Sequence, residues 1–265
     1  MDSFRNSFKF VLLKVMKYFL AIFSNLWKLY VIVVFTLVGI LLFPIIRCIL
    51  IKESWHKHAH HFFVIWSWSI RILCFYHVKK IKNSKLPEGP YIVIANHASY
   101  LDIFLMPSLL SHHPVLFLGK SELLRYPFLG TYFKKLHIPV FRNDKVKAAK
   151  SFLLARNAVR KGWSLIIFPE GGIPDENLPQ MIPFKDGAFK LAKNLKVPIV
   201  PITFTNNYKL LSDPEHFLRS AYPGISRVYI HDYVKPELVE QLDEKELIQY
   251  CFEIIQEPLL REKRI

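Results

Sequence analysis

Residues 4–23 mix apolar positions with basic ones. Lys9, Lys14 and Lys17 recur there among phenylalanine, leucine, valine and tyrosine side chains. This pattern predicts a basic amphipathic helix of the kind that lies on an anionic membrane. The segment lacks the small-residue cleavage site of a secretory signal peptide, so we do not expect it to be removed.

Residues 29–46 form an uncharged apolar run whose length is near the lower limit for crossing a bilayer. Lys28 precedes the run and Arg47 closes it, so the flanking charges do not orient it. Two arrangements fit this pattern. The run is either a transmembrane helix, or one arm of a helical hairpin formed with residues 4–23 inside one leaflet.

A third apolar stretch at residues 62–76 carries Trp66, Trp68 and Phe75. Aromatic side chains are common at membrane interfaces, so this stretch is a candidate interfacial segment. The alternative is a helix that packs against the core of the following domain. Both interpretations are compatible with the pattern of apolar positions.

Beyond a polar, turn-rich segment at residues 79–90, short apolar runs alternate with helical patterns. Alternation of this kind predicts an α/β domain with a mostly parallel sheet flanked by helices. We therefore divide the chain into an N-terminal membrane-associated helical region, residues 1–78, and an α/β domain, residues 79–265. The predicted strands are residues 91–95, 115–118, 164–168, 199–204 and 227–230, and the predicted helices are residues 100–110, 145–161, 184–195 and 244–260.

The formal net charge of +15 over 265 residues implies an acidic partner. The hydrophobic content of 52% favours membrane lipid over nucleic acid as that partner. No zinc-finger spacing or RNA-recognition signature is present, so we expect no nucleic-acid binding. The three cysteines are widely separated, which predicts neither a disulfide framework nor a metal site and indicates a reducing compartment.

Residues 96–102, with the sequence NHASYLD, follow the first predicted strand. Ser99 can cap a helix that starts at the next residue, and Ser99 with Asp102 resembles a capping box. The turn before the helix could fold His97 back onto Asp102, whose carboxylate would then fix the imidazole tautomer and leave the other ring nitrogen as a base. The alternatives are a capped helix with a solvated histidine, or a serine hydrolase with Ser99 as nucleophile, although the G-x-S-x-G elbow is missing.

Residues 168–172, with the sequence FPEGG, follow another predicted strand. Adjacent glycines let backbone N–H groups approach an anion closely, and Glu170 could bind hydroxyl groups or brace the loop. Lys120, Arg142 and Lys185 each lie at the end or start of a predicted element. These cations are candidate phosphate ligands, because ammonium and guanidinium groups pair with phosphate oxygens.

Taken together, the motifs resemble the glycerolipid acyltransferases, and in particular the 1-acyl-glycerol-3-phosphate acyltransferases. Four blocks of that family occur here in the family order, over roughly residues 90 to 205. The resemblance implies an α/β domain carried on N-terminal membrane-associated helices. The blocks are Asn96-His97-x4-Asp102, the region from Lys120 to Arg142, Phe168-Pro169-Glu170-Gly171, and Val197-Pro198-Ile199-Val200-Pro201.

The resemblance implies that His97 is the general base and that Asp102 orients it. The acyl donor would be acyl-CoA or acyl carrier protein, the acceptor a lysophospholipid, and the product phosphatidic acid. No metal and no cofactor would be needed, and the catalytic domain would lie on the cytoplasmic face of the membrane. The resemblance implies that Glu170 and Gly171 help to place the acceptor and that Arg142, with Lys120, binds its phosphate. The full set of candidate substrate-binding residues is Asn96, Lys120, Arg142, Glu170, Gly171, Gly172 and Lys185.

The chain departs from the family pattern after Gly171. The family usually continues with Thr-Arg, and the arginine is credited with phosphate contact, whereas this chain has Gly172 and Ile173. Either Lys120, Arg142 and Lys185 compensate, or the acceptor is another lysolipid, such as a lyso-aminolipid of the lyso-ornithine type.

Overall fold

The computed structural model describes residues 2–125, 129–141, 144–174 and 177–263. Seven strands lie within these ranges and form one sheet. The strands are β1 (Tyr76–Asn83), β2 (Ile92–Ala95), β3 (Val115–Lys120), β4 (Ile138–Val140), β5 (Ser164–Ile167), β6 (Ile199–Phe204) and β7 (Gly224–Ile230). The helices are α1 (Asp2–Ile49), α2 (His56–Leu73), α3 (Tyr100–Leu109), α4 (Leu129–Leu136), α5 (Lys145–Arg160), α6 (Gly187–Leu195), α7 (Asn207–Leu210), α8 (Pro236–Gln241) and α9 (Glu244–Lys263).

The strand order is β1-β7-β6-β2-β5-β3-β4. Every pairing is parallel except that of β6 with β7, which is antiparallel. The predicted α/β class with a mostly parallel sheet is therefore confirmed. Because β2, β3, β5 and β6 run in the same direction, the loops that follow them meet at one edge of the sheet. Ligands of open α/β sheets bind at this carboxyl edge.

Both faces of the sheet are covered. Val93 and Ala95 of β2 face a core shared with α1, α2 and α3. Ile92 and Ile94 of the same strand face a second core shared with α5, α6 and α9. This strand is buried on both faces, which explains why it is apolar at every position.

The N-terminal helix α1 is continuous over 48 residues. The hairpin alternative is therefore wrong, because the segment between the two predicted arms contains neither glycine nor proline to break the helix. Residues Leu12–Ile49 are long and apolar enough to cross a membrane. From residue 21 onward a buried stripe at helical spacing packs on the domain, and it includes Val31, Val34, Leu42 and Ile46.

Helix α2 contains most of the third apolar stretch, and its contacts favour the core-packing interpretation. Trp66 is buried and stacks on Phe35 of α1, with ring centroids 4.5 Å apart. Its indole N–H donates to the carbonyl oxygen of Phe35 at 3.1 Å. Trp68 and Phe75 are exposed, so the three aromatic residues do not share one environment.

Strand β1 was not predicted, because residues 79–90 were interpreted as a turn-rich boundary. The strand is rich in lysine and lies at an edge of the sheet, where it pairs only with β7. An edge strand with one solvated face can tolerate charged side chains that a central strand cannot. The predicted division between residues 78 and 79 falls inside this strand.

Candidate active site

His97 and Asp102 meet at the carboxyl end of β2. Ser99 caps α3: its Oγ accepts from the backbone N–H of Leu101 at 3.0 Å, and its own N–H donates to Asp102 Oδ2 at 2.9 Å. The predicted capping box is therefore confirmed. The resulting turn brings His97 Nδ1 to 3.2 Å from Asp102 Oδ2. This contact leaves Nε2 as the nitrogen available for chemistry.

The Asp102 carboxylate is fully buried and is held from several sides. Oδ2 also accepts from the backbone N–H of Ala98 at 2.9 Å, and Oδ1 accepts from the side-chain amide of Asn207 at 2.8 Å. Asn207 was not found from the sequence, because it lies more than a hundred residues away, in a short helix after β6. Its role depends on β6 lying beside β2.

Glu170 ties the loop after β5 to the loop after β2. Oε1 accepts from the backbone N–H of His97 at 2.8 Å, and Oε2 accepts from the N–H of Ile182 at 3.0 Å. Burial raises the pKa of Glu170 to about 7, and the charge of Asp102 adds to this, although the two backbone donors oppose it. Both carboxylate oxygens are therefore used to brace the loops.

The ring of Phe168 forms one side of the histidine site. It stacks on the imidazole of His97 with ring centroids 4.2 Å apart and an angle of 23° between the planes. Three residues after Phe168 the chain turns at Gly171, which has φ of +83°. The Gly171 N–H donates to the Phe168 carbonyl at 2.9 Å, so this N–H is not free to bind an anion as the glycine pair suggested.

Two lysines converge on the loop that contains Gly171 and Gly172. A β-carbon added to Gly171 would lie 2.7 Å from Lys185 Nζ, and one added to Gly172 would lie 3.4 Å from Lys120 Nζ. Lys120 ends β3, and Lys185 precedes α6, so different elements deliver the two ammonium groups. Both side chains are exposed, which leaves their charges available to a ligand.

Asn96 is buried and does not face this opening. Its side-chain amide donates to the Phe204 carbonyl at 3.0 Å and accepts from the Phe204 N–H at 2.8 Å. The amide continues the pairing of β2 with β6, so it fixes the strand end from which His97 projects. The structure therefore gives Asn96 a positioning role, through its two bonds to the backbone of Phe204.

Comparison with known proteins shows the fold of this chain and the proteins that it resembles. Residues 77–205 match the family model described as Acyltransferase. The resemblance based on four ordered motifs is therefore confirmed.

Proteins similar to this chain include the 1-acyl-sn-glycerol-3-phosphate acyltransferase of Saccharomyces cerevisiae, at 34% identity over 195 residues. That match covers 69% of this chain and 61% of the yeast protein. A chloroplastic 1-acyl-sn-glycerol-3-phosphate acyltransferase of Brassica napus is 29% identical, with 69% of this chain and 52% of that protein covered. The chain thus spans roughly half to three-fifths of the length of these two relatives.

A putative 1-acyl-sn-glycerol-3-phosphate acyltransferase of Caenorhabditis elegans is 28% identical, and the match covers 96% of this chain and 90% of that protein. Among solved structures, the 1-acyl-sn-glycerophosphate acyltransferase of Thermotoga maritima superposes with a TM-score of 0.74. That superposition covers 91% of this chain and 97% of the other at 22% identity. It confirms the fold, including the N-terminal helical region.

The hydrolase alternative does not fit the geometry around Ser99. Ser99 is fully buried, and its hydroxyl donates to the Leu211 carbonyl while accepting from the N–H of Leu101. His97 contacts Asp102 through Nδ1, and the Ser99 hydroxyl is already committed to its two backbone partners. A nucleophile needs an exposed oxygen beside a base, and Ser99 is a helix cap instead.

Arg142, the remaining candidate phosphate ligand, lies outside the described residues. The cations that the structure places beside the family's glycine loop are therefore Lys120 and Lys185. Sequence reasoning named each of them separately, but it could not show that they approach the same two glycines.

Proposed function

We propose that this protein is a membrane-bound O-acyltransferase that transfers a fatty acyl group to the sn-2 hydroxyl of 1-acyl-glycerol-3-phosphate and so makes phosphatidic acid. The observation that carries the proposal is the contact of His97 Nδ1 with Asp102, a carboxylate fixed by three further donors beside a loop approached by two lysines. The names of the yeast, plant and nematode relatives support the same reaction.

In this reaction His97 Nε2 removes the proton from the acceptor hydroxyl as its oxygen attacks the thioester carbonyl carbon. Asp102 stabilises the imidazolium that forms and keeps the ring in place. The tetrahedral intermediate then collapses, the carbon–sulfur bond breaks, and the leaving thiolate takes the proton from His97. The products are an ester and a free thiol, and no covalent bond to the protein forms.

Lys120 and Lys185 are the proposed ligands of the acceptor phosphate. They approach Gly171 and Gly172, and the next residue is Ile173, where the family pattern has an arginine. Charge-assisted hydrogen bonds from two ammonium groups can replace one guanidinium, although without its planar bidentate geometry. Glu170 contributes by holding the loop rather than by touching the acceptor.

The long apolar helix α1 supports membrane attachment, where the lipid acceptor and product reside. The formal charge of +15 would attract both an anionic leaflet and an anionic donor. We propose that the catalytic domain faces the cytoplasm, that the donor is acyl-CoA or acyl carrier protein, and that no cofactor or metal takes part.

A second acceptor class is favoured by the residues Gly172 and Ile173 themselves. Because the arginine of the family pattern is missing, a lysolipid with an amino-acid headgroup remains a candidate acceptor. The two acceptors differ in how much they depend on Lys120 and Lys185. A phosphate group needs both cations for binding, whereas a zwitterionic headgroup gains little binding free energy from them.

The test is product analysis by mass spectrometry on purified protein given an acyl thioester with lysophosphatidic acid and a lyso-aminolipid together. We expect phosphatidic acid as the main product, lost in His97→Ala and retained in His112→Ala, a change at an exposed histidine in a surface turn. Acylated aminolipid as the main product would transfer the proposal to the second acceptor. Full turnover by His97→Ala would refute the assignment of the base.

A further inference from the structure

A second concave surface lies beside β4, and none of its lining residues belongs to the site described above. The cavity has a volume of about 760 Å³ and is bounded by α4, β4 and α5. Cavities of this size hold ligands as large as a nucleotide. Its polar lining includes Arg125, Lys134, Lys147 and Lys150, and its apolar lining includes Phe141 and Leu154.

The stretch of sequence that contains the lining residues of this cavity is strongly basic. Residues 120–161 contain eleven lysines and arginines but only two acidic residues, Glu122 and Asp144. This segment therefore supplies +9 of the formal net charge of +15. On a surface whose charges served only solubility, we would expect positive and negative side chains to be mixed.

Most of the cations in the cavity lack a carboxylate partner. Lys147 pairs with Asp144 at 3.1 Å. Among the ion pairs of the described residues, none involves Arg125, Lys134 or Lys150. Unpaired cations on the walls of one concavity repel one another, and an anion bound between them relieves that repulsion.

The position of the cavity relates it to the histidine site. Strand β4 is parallel to β3, with Val140 opposite Lys120, so Phe141 leaves the sheet at the same carboxyl edge as His97. Three strand spacings separate β4 from β2, which amounts to about 14 Å along the edge. A ligand that uses both places must be long, anionic at one end and reactive at the other.

We infer that this cavity binds the phosphorylated nucleotide of an acyl-CoA donor while the thioester reaches His97. This inference rests on the proposed function, because it assumes that an acyl thioester is the substrate. Coenzyme A has three phosphate groups on its nucleotide and an extended pantetheine arm that separates them from the sulfur. The half-buried ring of Phe141 offers the base an apolar surface inside the same cavity.

The experiment compares two donors that share the acyl chain and the pantetheine arm but differ in the nucleotide: palmitoyl-CoA and S-palmitoyl-pantetheine. In the double variant Lys134→Gln/Lys150→Gln we expect the KM for palmitoyl-CoA to rise about tenfold or more, from the loss of two charge-assisted contacts. The KM for the pantetheine thioester should stay within about twofold of the wild-type value, because this donor has no phosphate.

The matched control is Lys79→Gln/Lys80→Gln, which removes two exposed lysines from β1 at the opposite edge of the sheet. It keeps the net charge equal to that of the test variant and should leave both KM values unchanged. Thermal unfolding of all three proteins verifies that the folds are equally stable. Calorimetric titration with free coenzyme A measures binding separately from turnover.

The outcomes separate the inference from the proposed function. If the wild-type protein transfers acyl groups but the test variant changes the KM for both donors by the same factor, the inference is overturned and the proposed function stands. If the test variant is impaired only with acyl carrier protein as donor, the cavity is a carrier-protein surface and the inference is again overturned. If no donor supports turnover, yet the test variant alone loses coenzyme A binding, the nucleotide site stands without the proposed reaction.

Discussion

The backbone N–H of His97 lies 2.8 Å from Glu170 Oε1, so a single hydrogen bond joins the loops that follow β2 and β5. The acceptor of that bond is buried and comes from the second sequence motif, whereas the donor comes from the first. The histidine is thereby held from two directions, at its ring by Asp102 and at its backbone by Glu170. We make four predictions from the contacts around this histidine and from the packing of α1 on α2.

The first concerns pH and Glu170. The pKa of Glu170 is raised from the ordinary 4.5 to about 7. Its favourable contribution to the free energy of unfolding is therefore complete below pH 4.5 and is lost as pH rises through 7. The shift corresponds to about 3 kcal/mol across this window. Glu170→Gln should flatten the fall in unfolding temperature between pH 5 and pH 8.

For comparison, Glu237→Gln removes an exposed carboxylate from α8 and should keep the wild-type pH dependence. Equal slopes for wild type and Glu170→Gln would show that this carboxyl group titrates at its ordinary value in the folded protein.

A second prediction concerns Asn207, which donates to Asp102 Oδ1 at 2.8 Å. Without this donor the carboxylate loses a charge-assisted bond and can rotate, which we expect to lower kcat about tenfold or more. The KM values should change little, because Asn207 is fully buried and does not reach substrate. Steady-state kinetics of Asn207→Ala would measure this separation.

Among the described residues, the side chain of the neighbouring Asn206 bonds to the backbone of β7, donating to Ile225 and accepting from Arg227. Asn206→Ala should therefore reduce stability without the same loss of kcat. If both variants lowered kcat and stability in parallel, Asn207 would have to be regarded as a purely structural residue.

A third prediction contrasts two adjacent glycines. Gly171 has φ of +83°, and a β-carbon there would lie 2.7 Å from Lys185 Nζ. Gly171→Ala should cost about 1–2 kcal/mol of stability from the backbone and should also displace Lys185. Gly172 has ordinary φ and a contact of 3.4 Å, so Gly172→Ala should be tolerated. Chemical denaturation and the KM for lysophosphatidic acid distinguish the two variants. Equal changes in stability and KM for Gly171→Ala and Gly172→Ala would contradict the described conformation of the loop.

The fourth prediction concerns the close approach of α1 and α2. A β-carbon on Gly39 would lie 2.7 Å from the ring of the buried Trp66. Gly39→Val should separate the two helices and cost about 1–3 kcal/mol through overpacking. Leu41→Val, at a position that is 75% exposed, should be neutral. Thermal unfolding in detergent compares the two, and a neutral Gly39→Val would argue against this helix packing.

The sequence predicted best those features that depend on neighbours along the chain. The capping box of Ser99 and Asp102 is local, so its spacing alone was sufficient to bring His97 and Asp102 together. The central strands β2, β5 and β6 are buried on both faces and are consequently visible as apolar runs. Strand β1 was missed because its lysine-rich pattern resembles a loop, and only its pairing with β7 defines it.

Features that depend on the order of strands in the sheet could not be predicted from the sequence. Asn207 meets Asp102 only because β6 lies next to β2, and Lys185 meets Gly171 only because the loop before α6 returns to the sheet edge. The motif residues could be named in advance, but their division into reacting, bracing and charge-carrying groups required the tertiary contacts.

Helix α1 touches the same helix that starts at the active site. Phe35 stacks on Phe104 of α3 with ring centroids 4.7 Å apart, and Asp102 lies in the first turn of α3. A change in the tilt of α1 must therefore be accommodated by the element that carries Asp102. In the membrane-bound enzyme that we propose, the thickness and lateral pressure of the lipid around α1 would then affect the alignment of His97.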